Sequence, residues 1–288
     1  MRDTSIDSTR PIDTAEPPMR YVRLVPITRR PTALPASLAL VVSALLAGCA
    51  APDPSRAAAG ASDRAAADSA FADSVLRAAE DLEAVIVERP STNPAPVRDP
   101  EAARLALATH GSGTYIDELF AARDSVNYRW PDRARDPLRV WIQSAPLEAD
   151  ERAFPRAVQE AFDPWTETGI PVGFEFVDDS ARAEVHVTWV ARYESRTTGR
   201  TRWVHDQHGW ITAASIELAR AQPDGTPLDL ASVRAIARHE VGHLLGLDHT
   251  ADPRHVMAET VRVTELSEAD RATVRLVYLL PPGRVRLP

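Results

Sequence analysis

The chain has 288 residues, 44% of them apolar and 26% charged, with a formal net charge of −8. An acidic balance of this size disfavours nucleic acid and charge-driven attachment to anionic lipid, so neither is expected as a partner. The single cysteine, Cys49, excludes any disulfide framework within a monomer.

At the N-terminus, Arg20, Arg23, Arg29 and Arg30 precede an apolar run from Ala33 to Ala47, which closes in Leu46-Ala47-Gly48-Cys49. A basic start, a short apolar middle and small residues before a cut make residues 1–48 a secretory signal, and the run is too short to cross a bilayer as a mature helix. Met1 and Met19 would both serve as its start, and Arg29-Arg30 lacks the rest of a twin-arginine pattern. The closing tetrapeptide resembles the lipobox of bacterial lipoproteins. That resemblance implies that Cys49 is lipidated, becomes the first mature residue and anchors the chain to the cell envelope outside the cytoplasm; Ala50 in place of Asp agrees with outer-membrane sorting. Loss of residues 1–48, with six arginines against four acids, would take the net charge to −10.

Residues 49–62, rich in Ala, Ser, Gly, Pro and Asp, read as a flexible tether. Residues 63–88 place Phe71, Val75, Leu76, Leu82, Val85 and Ile86 at helical spacing, until the stretch from Pro90 to Pro100 breaks the pattern. Further helical patterns run from Glu101 to His110 and from Ile116 to Ala122. Residues 63–129 therefore make a helical pro-segment or a linker region, and the residues leave both readings open. A globular domain is expected over 130–288. It opens with a strand at Leu138–Ile142 and a helix from Glu148 to Trp165 that sets Phe154, Val158 and Phe162 on one face. Alternating strands follow at Phe174–Val177, Glu184–Trp189 and Trp210–Leu218. Asp229 is the candidate N-cap of the next helix.

That helix carries His239-Glu240-Val241-Gly242-His243, continued by Leu244-Leu245-Gly246-Leu247-Asp248-His249. The run matches H-E-x-x-H-x-x-G-x-x-H. Histidines four residues apart project from one helix face at the right separation for two ligands of one metal ion. Glu240, one residue round the helix, is placed to act as a general base and not as a ligand. Gly246 accepts the left-handed backbone that ends the helix and turns the chain back, so that His249 can supply a third imidazole. Three neutral imidazoles leave a fourth tetrahedral position open, the arrangement of a catalytic zinc site. Met257 follows His249 by eight residues, the place of the methionine turn that lies beneath such sites.

Residues 239–257 resemble the active site of a metzincin, more narrowly of a matrixin. The likeness continues through Leu266-Ser267-Glu268-Ala269-Asp270 to Leu276-Val277-Tyr278, which is similar to the final helix of matrixin domains. The resemblance implies an α+β, zincin-like catalytic domain: a twisted mixed β-sheet with an active-site helix and a C-terminal helix. It implies Zn2+ as cofactor and a protein or peptide as substrate. It also implies a substrate-binding edge strand, which by position falls on Trp210–Leu218 and would make Ala213, Ala214 and Ser215 substrate-binding. A second, structural metal site built from His186, His205, Asp206 and His208 does not match the matrixin spacing, and these read as ordinary strand or surface residues. Ala258-Glu259 departs from the Pro or Tyr usual after the methionine, and the absence of a further cysteine excludes cysteine-switch latency. The competing reading is a lipid-anchored zinc-binding or adhesion module without proteolytic activity. Glu240 speaks against it, since a pure binding site has no need of a carboxylate there.

Overall fold

A computed structural model of the chain describes residues 93, 95–97, 99–144, 151–194 and 197–285. The signal, Cys49, the tether and the helical pattern at 63–88 lie outside these residues.

Two helices open the described chain. The first, α1 (Pro100–His110), starts on Asp99, whose side chain accepts from the amides of Glu101 and Ala102, with proline at the first helical position. The second, α2 (Ile116–Ala122), buries Ile116, Leu119 and Phe120. All three belong to the same hydrophobic core as Leu138, Phe162, Ile216 and Val241. The core thus takes in α2 together with elements beyond residue 130.

A short strand, β1 (Val126–Asn127), pairs antiparallel with the terminal β7 (Gly283–Arg284). The main sheet comprises β2 (Arg133–Ile142), β3 (Val172–Phe176), β4 (Val185–Val190), β5 (Gly199–His205) and β6 (Ile211–Ala219). Its order is β3-β2-β4-β6-β5. All neighbours are parallel except β5 and β6, which form an antiparallel hairpin. The hairpin turns at Asp206, whose carboxylate accepts from the amides of His208 and Trp210, while Gly209 takes φ +89°.

The core face of the sheet is covered by α3 (Phe154–Thr166) and α4 (Leu230–Leu244). Helix α3 directs Phe154, Ala157, Val158, Ala161, Phe162 and Trp165 inward, a stripe at 3.6-residue spacing. Helix α4 begins on the expected cap, Asp229, which accepts from Ser232 N at 2.7 Å. It is buried on nearly every side, as a helix wedged between a sheet and another helix must be. Helix α5 (Glu268–Leu279) closes the domain with a full capping box between Ser267 and Asp270. The α+β class and the mixed sheet with two named helices are thus as expected.

Candidate metal centre

Helix α4 ends at Leu244, and Gly246 takes φ +94°. A side chain there would be strained by the backbone and would also meet Tyr128 O at 2.1 Å from its Cβ. The reversal brings His249 back beneath the helix. The Nε2 atoms of His239, His243 and His249 converge, at 3.0 Å (His243 to His239), 3.2 Å (His243 to His249) and 3.3 Å (His239 to His249).

The other ring nitrogens fix the tautomers. His239 Nδ1 lies 2.7 Å from Val256 O and His243 Nδ1 lies 3.1 Å from Leu247 O. A carbonyl only accepts, so each Nδ1 carries the proton and each Nε2 faces its neighbours with a bare lone pair. Burial, with Val256 O opposing it, holds His239 down to about 4, and burial with the flanking His239 and His249 keeps His243 well below the ordinary histidine range. Neutral imidazoles with converging lone pairs repel unless a cation lies between them. Zinc–imidazole bonds of 2.0–2.1 Å in a tetrahedron set nitrogens about 3.3 Å apart, so the donor set fits a zinc ion. Among the described residues this is the one group of three or more His, Cys, Asp or Glu side chains arranged to hold a metal. His239 is buried, His243 half-buried and His249 exposed, so the centre opens to solvent on the side of the third histidine.

Glu240 is buried at 4% exposure. Its Oε2 accepts from Thr201 Oγ1 at 2.7 Å, and the same hydroxyl donates to Glu240 O at 3.0 Å. Burial pushes the carboxyl up to about 7, against the Thr201 hydrogen bond and the nearby Arg200 charge. The space is made by Gly199, where an added Cβ would lie 2.5 Å from Glu240 Oε1 and 2.8 Å from Ile236 Cγ2. Neither Gly199 nor Thr201 figures among the residues expected from the sequence. The signal available for them was the alternation of Gly199, Thr201 and Trp203 with Arg200 and Arg202.

Met257 is fully buried, and its sulfur fills the place that a side chain at Gly242 would occupy, 2.2 Å from where that Cβ would stand. Asp270 holds the turn before it. One oxygen accepts from Val256 N (3.1 Å), Ser267 N (2.8 Å) and Ser267 Oγ (2.7 Å), and the other from Tyr115 Oη (3.0 Å). The chain of support runs from Asp270 through Val256 to the ring of His239.

Residues 129–279 match a family model described as Matrixin, just over half of the chain. The chain belongs to the matrixin family. Metalloendoproteinase 1 of Glycine max is similar over 150 residues at 25% identity, 45% of this chain and 47% of that protein. The chain thus spans about half the length of the curated relative it matches.

One expectation is overturned. The strand at the outer edge of this matrixin sheet is β5, and β6 is interior. Ala214 pairs with Val185 on one side and Trp203 on the other, Ser215 with His186 and Arg202, and Ala213 with Val204. Interior pairing commits the backbone of this stretch to the sheet, so Ala213, Ala214 and Ser215 do not offer it to a substrate. His186, His205 and Asp206, weighed above as a second metal site, each have partners of their own. His186 Nε2 bonds to Ser180 O (2.9 Å), His205 Nδ1 to Asp206 O (2.7 Å), and the Asp206 carboxylate caps its hairpin.

Proposed function

We propose that the chain is a zinc endopeptidase that cleaves proteins or peptides outside the cytoplasm, tethered to the envelope by a lipid on Cys49. The observation that carries the reading is the convergence of the Nε2 atoms of three histidines beside a buried carboxylate. The matrixin match and the name of the soybean relative agree with it.

His239, His243 and His249 would hold the ion. Zinc, when bound, supplies Lewis-acid polarisation of the scissile carbonyl and lowers the pKa of water from ~15.7 towards ~7. Glu240 takes a proton from the attacking water and returns one to the leaving amine as the C–N bond breaks. A carboxyl raised towards neutrality is matched to both transfers. The Thr201 hydroxyl fixes the orientation of that carboxylate. Strand β5, at the sheet edge beside Glu240, would bind the substrate backbone as an added strand. This role replaces the one expected for Ala213, Ala214 and Ser215.

The metal assignment is tested by zinc analysis of the purified chain beside His243→Ala. One zinc per chain is expected, and none in the variant. Equal zinc in both would remove His243 from the ligand set.

A further inference from the structure

The turn that joins the second and third histidines is gripped from outside the matrixin match. Arg123, the residue after α2, donates from Nε to Asp248 Oδ2 (2.9 Å), from Nη1 to Gly246 O (2.8 Å) and from Nη2 to Leu247 O (2.9 Å). The three acceptors belong to three consecutive residues, so the planar fork fits the shape of the turn and not a single group. The Arg123 side chain is 10% exposed, and its guanidinium lies 6.0 Å from the Tyr128 ring centre and 5.7 Å from that of Trp203.

Two of the three contacts lead to ligands. Leu247 O also accepts from His243 Nδ1, and the second oxygen of Asp248 accepts from His249 N at 2.8 Å. Neighbouring residues close the same end of α4. Trp130 Nε1 donates to Leu244 O at 2.9 Å, and Glu118 accepts from Ala251 N at 2.8 Å, two residues beyond His249. The last carbonyls of a helix lack partners within it and attract positive charge. Trp130 serves the helix end itself, and Arg123 brings its charge to the carbonyls of the turn just beyond it, from a base anchored by Ile116, Leu119 and Phe120, none more than 2% exposed.

We propose that Arg123 is a positioning residue of the metal centre: it holds the turn at 246–248 so that His243 and His249 converge on the ion, which makes residues 115–130 a working part of the site. The proposal rests on the zinc reading above. Arg123 touches neither the ion nor the substrate and acts through Leu247 and Asp248.

The test measures the zinc affinity of the full chain by competition with a chromophoric chelator, for the parent, Arg123→Met and Arg123→Lys. Circular dichroism of the metal-free proteins reports the fold. Removing an outer partner of a metal ligand costs about 10–100-fold in affinity; Arg123→Met is expected in that range, and Arg123→Lys, a charge without the fork, between it and the parent. Asp248→Asn combined with Arg123→Met should lose less than the product of the single losses, because both break one contact. If Arg123 merely stabilises the fold, folded variants bind zinc within about twofold of the parent, and that result overturns the proposal. Should Arg123→Met fail to fold, Arg123→Lys decides by the same criterion. A parent chain that binds no zinc would overturn the zinc reading itself, an outcome distinct from tight binding in every variant.

Discussion

Glycine to alanine inside a helix ordinarily stabilises by about 0.5–1 kcal/mol, through the entropy of the unfolded backbone. At Gly242 the sign should reverse. The new Cβ would lie 2.2 Å from Met257 Sδ and 2.9 Å from Trp165 Cζ2, both closer than carbon tolerates. Neither neighbour has room to give way. Both are fully buried, and the Trp165 indole is tied to Arg238 O at 2.9 Å. Overpacking of this kind costs about 1–3 kcal/mol, which leaves a net loss of roughly 1–2 kcal/mol after the helix gain. For a domain of this size that lowers Tm by roughly 2–8 °C. The displaced Met257 also carries Val256, whose carbonyl orients His239, so zinc affinity should fall with stability. Thermal unfolding of Gly242→Ala in chelator, followed by zinc titration, reads both quantities. A higher Tm with unchanged zinc affinity would refute the packing argument.

Two further results are expected. Thr201→Val keeps the branched shape of the side chain but removes the donor 2.7 Å from Glu240 Oε2. A hydrogen bond to a charged group is worth about 1.5–3 kcal/mol, so kcat should fall about 10–100-fold with KM little changed, and Thr201→Ser should restore most of it; a Val variant with parental kcat would show that the hydroxyl does not orient the base. In the metal-free protein, burial raises the Glu240 carboxyl to about 7. A raised carboxyl favours the protonated folded form, so its contribution is intact below the ordinary carboxylate pKa and is lost as pH rises towards about 7. Denaturant midpoints in chelator should therefore move in favour of Glu240→Gln between pH 5 and pH 8, and a gap independent of pH would contradict a buried, titrating carboxyl.

The helix-borne half of the site was legible in the sequence because its physics is local. The spacing of His239 and His243 and the cap at Asp229 both act within a turn or two of helix. The edge strand was not legible. Its inward positions include Gly199 and Thr201 where an apolar alternation would ordinarily stand, because Glu240 occupies that space. The positions between them carry Arg200 and Arg202, the latter itself buried. With β5 unread, Trp210–Leu218 took the edge role by default. Periodicity reports that a strand is half-buried; it does not report which strands lie beside it. Arg123 and Glu118 were out of reach for another reason. They meet Asp248 and Ala251 across 125 and 133 residues of chain, and neither has any local pattern that announces a distant partner. In residues 63–129 the sequence carries only local helix pattern, so the apolar face of α2 tells of a helix but not of the core it joins.

Glu240 is proposed as the base of a metal-dependent peptidase. That role is tested most directly by cleavage of an unfolded protein substrate by the full chain, run beside Glu240→Ala, with a chelator and with zinc restored. The parent should cleave, lose cleavage in chelator and recover it with zinc, while a Glu240→Ala variant that still binds zinc should not cleave. Turnover retained in that variant, or parental cleavage indifferent to the chelator, would contradict the proposal.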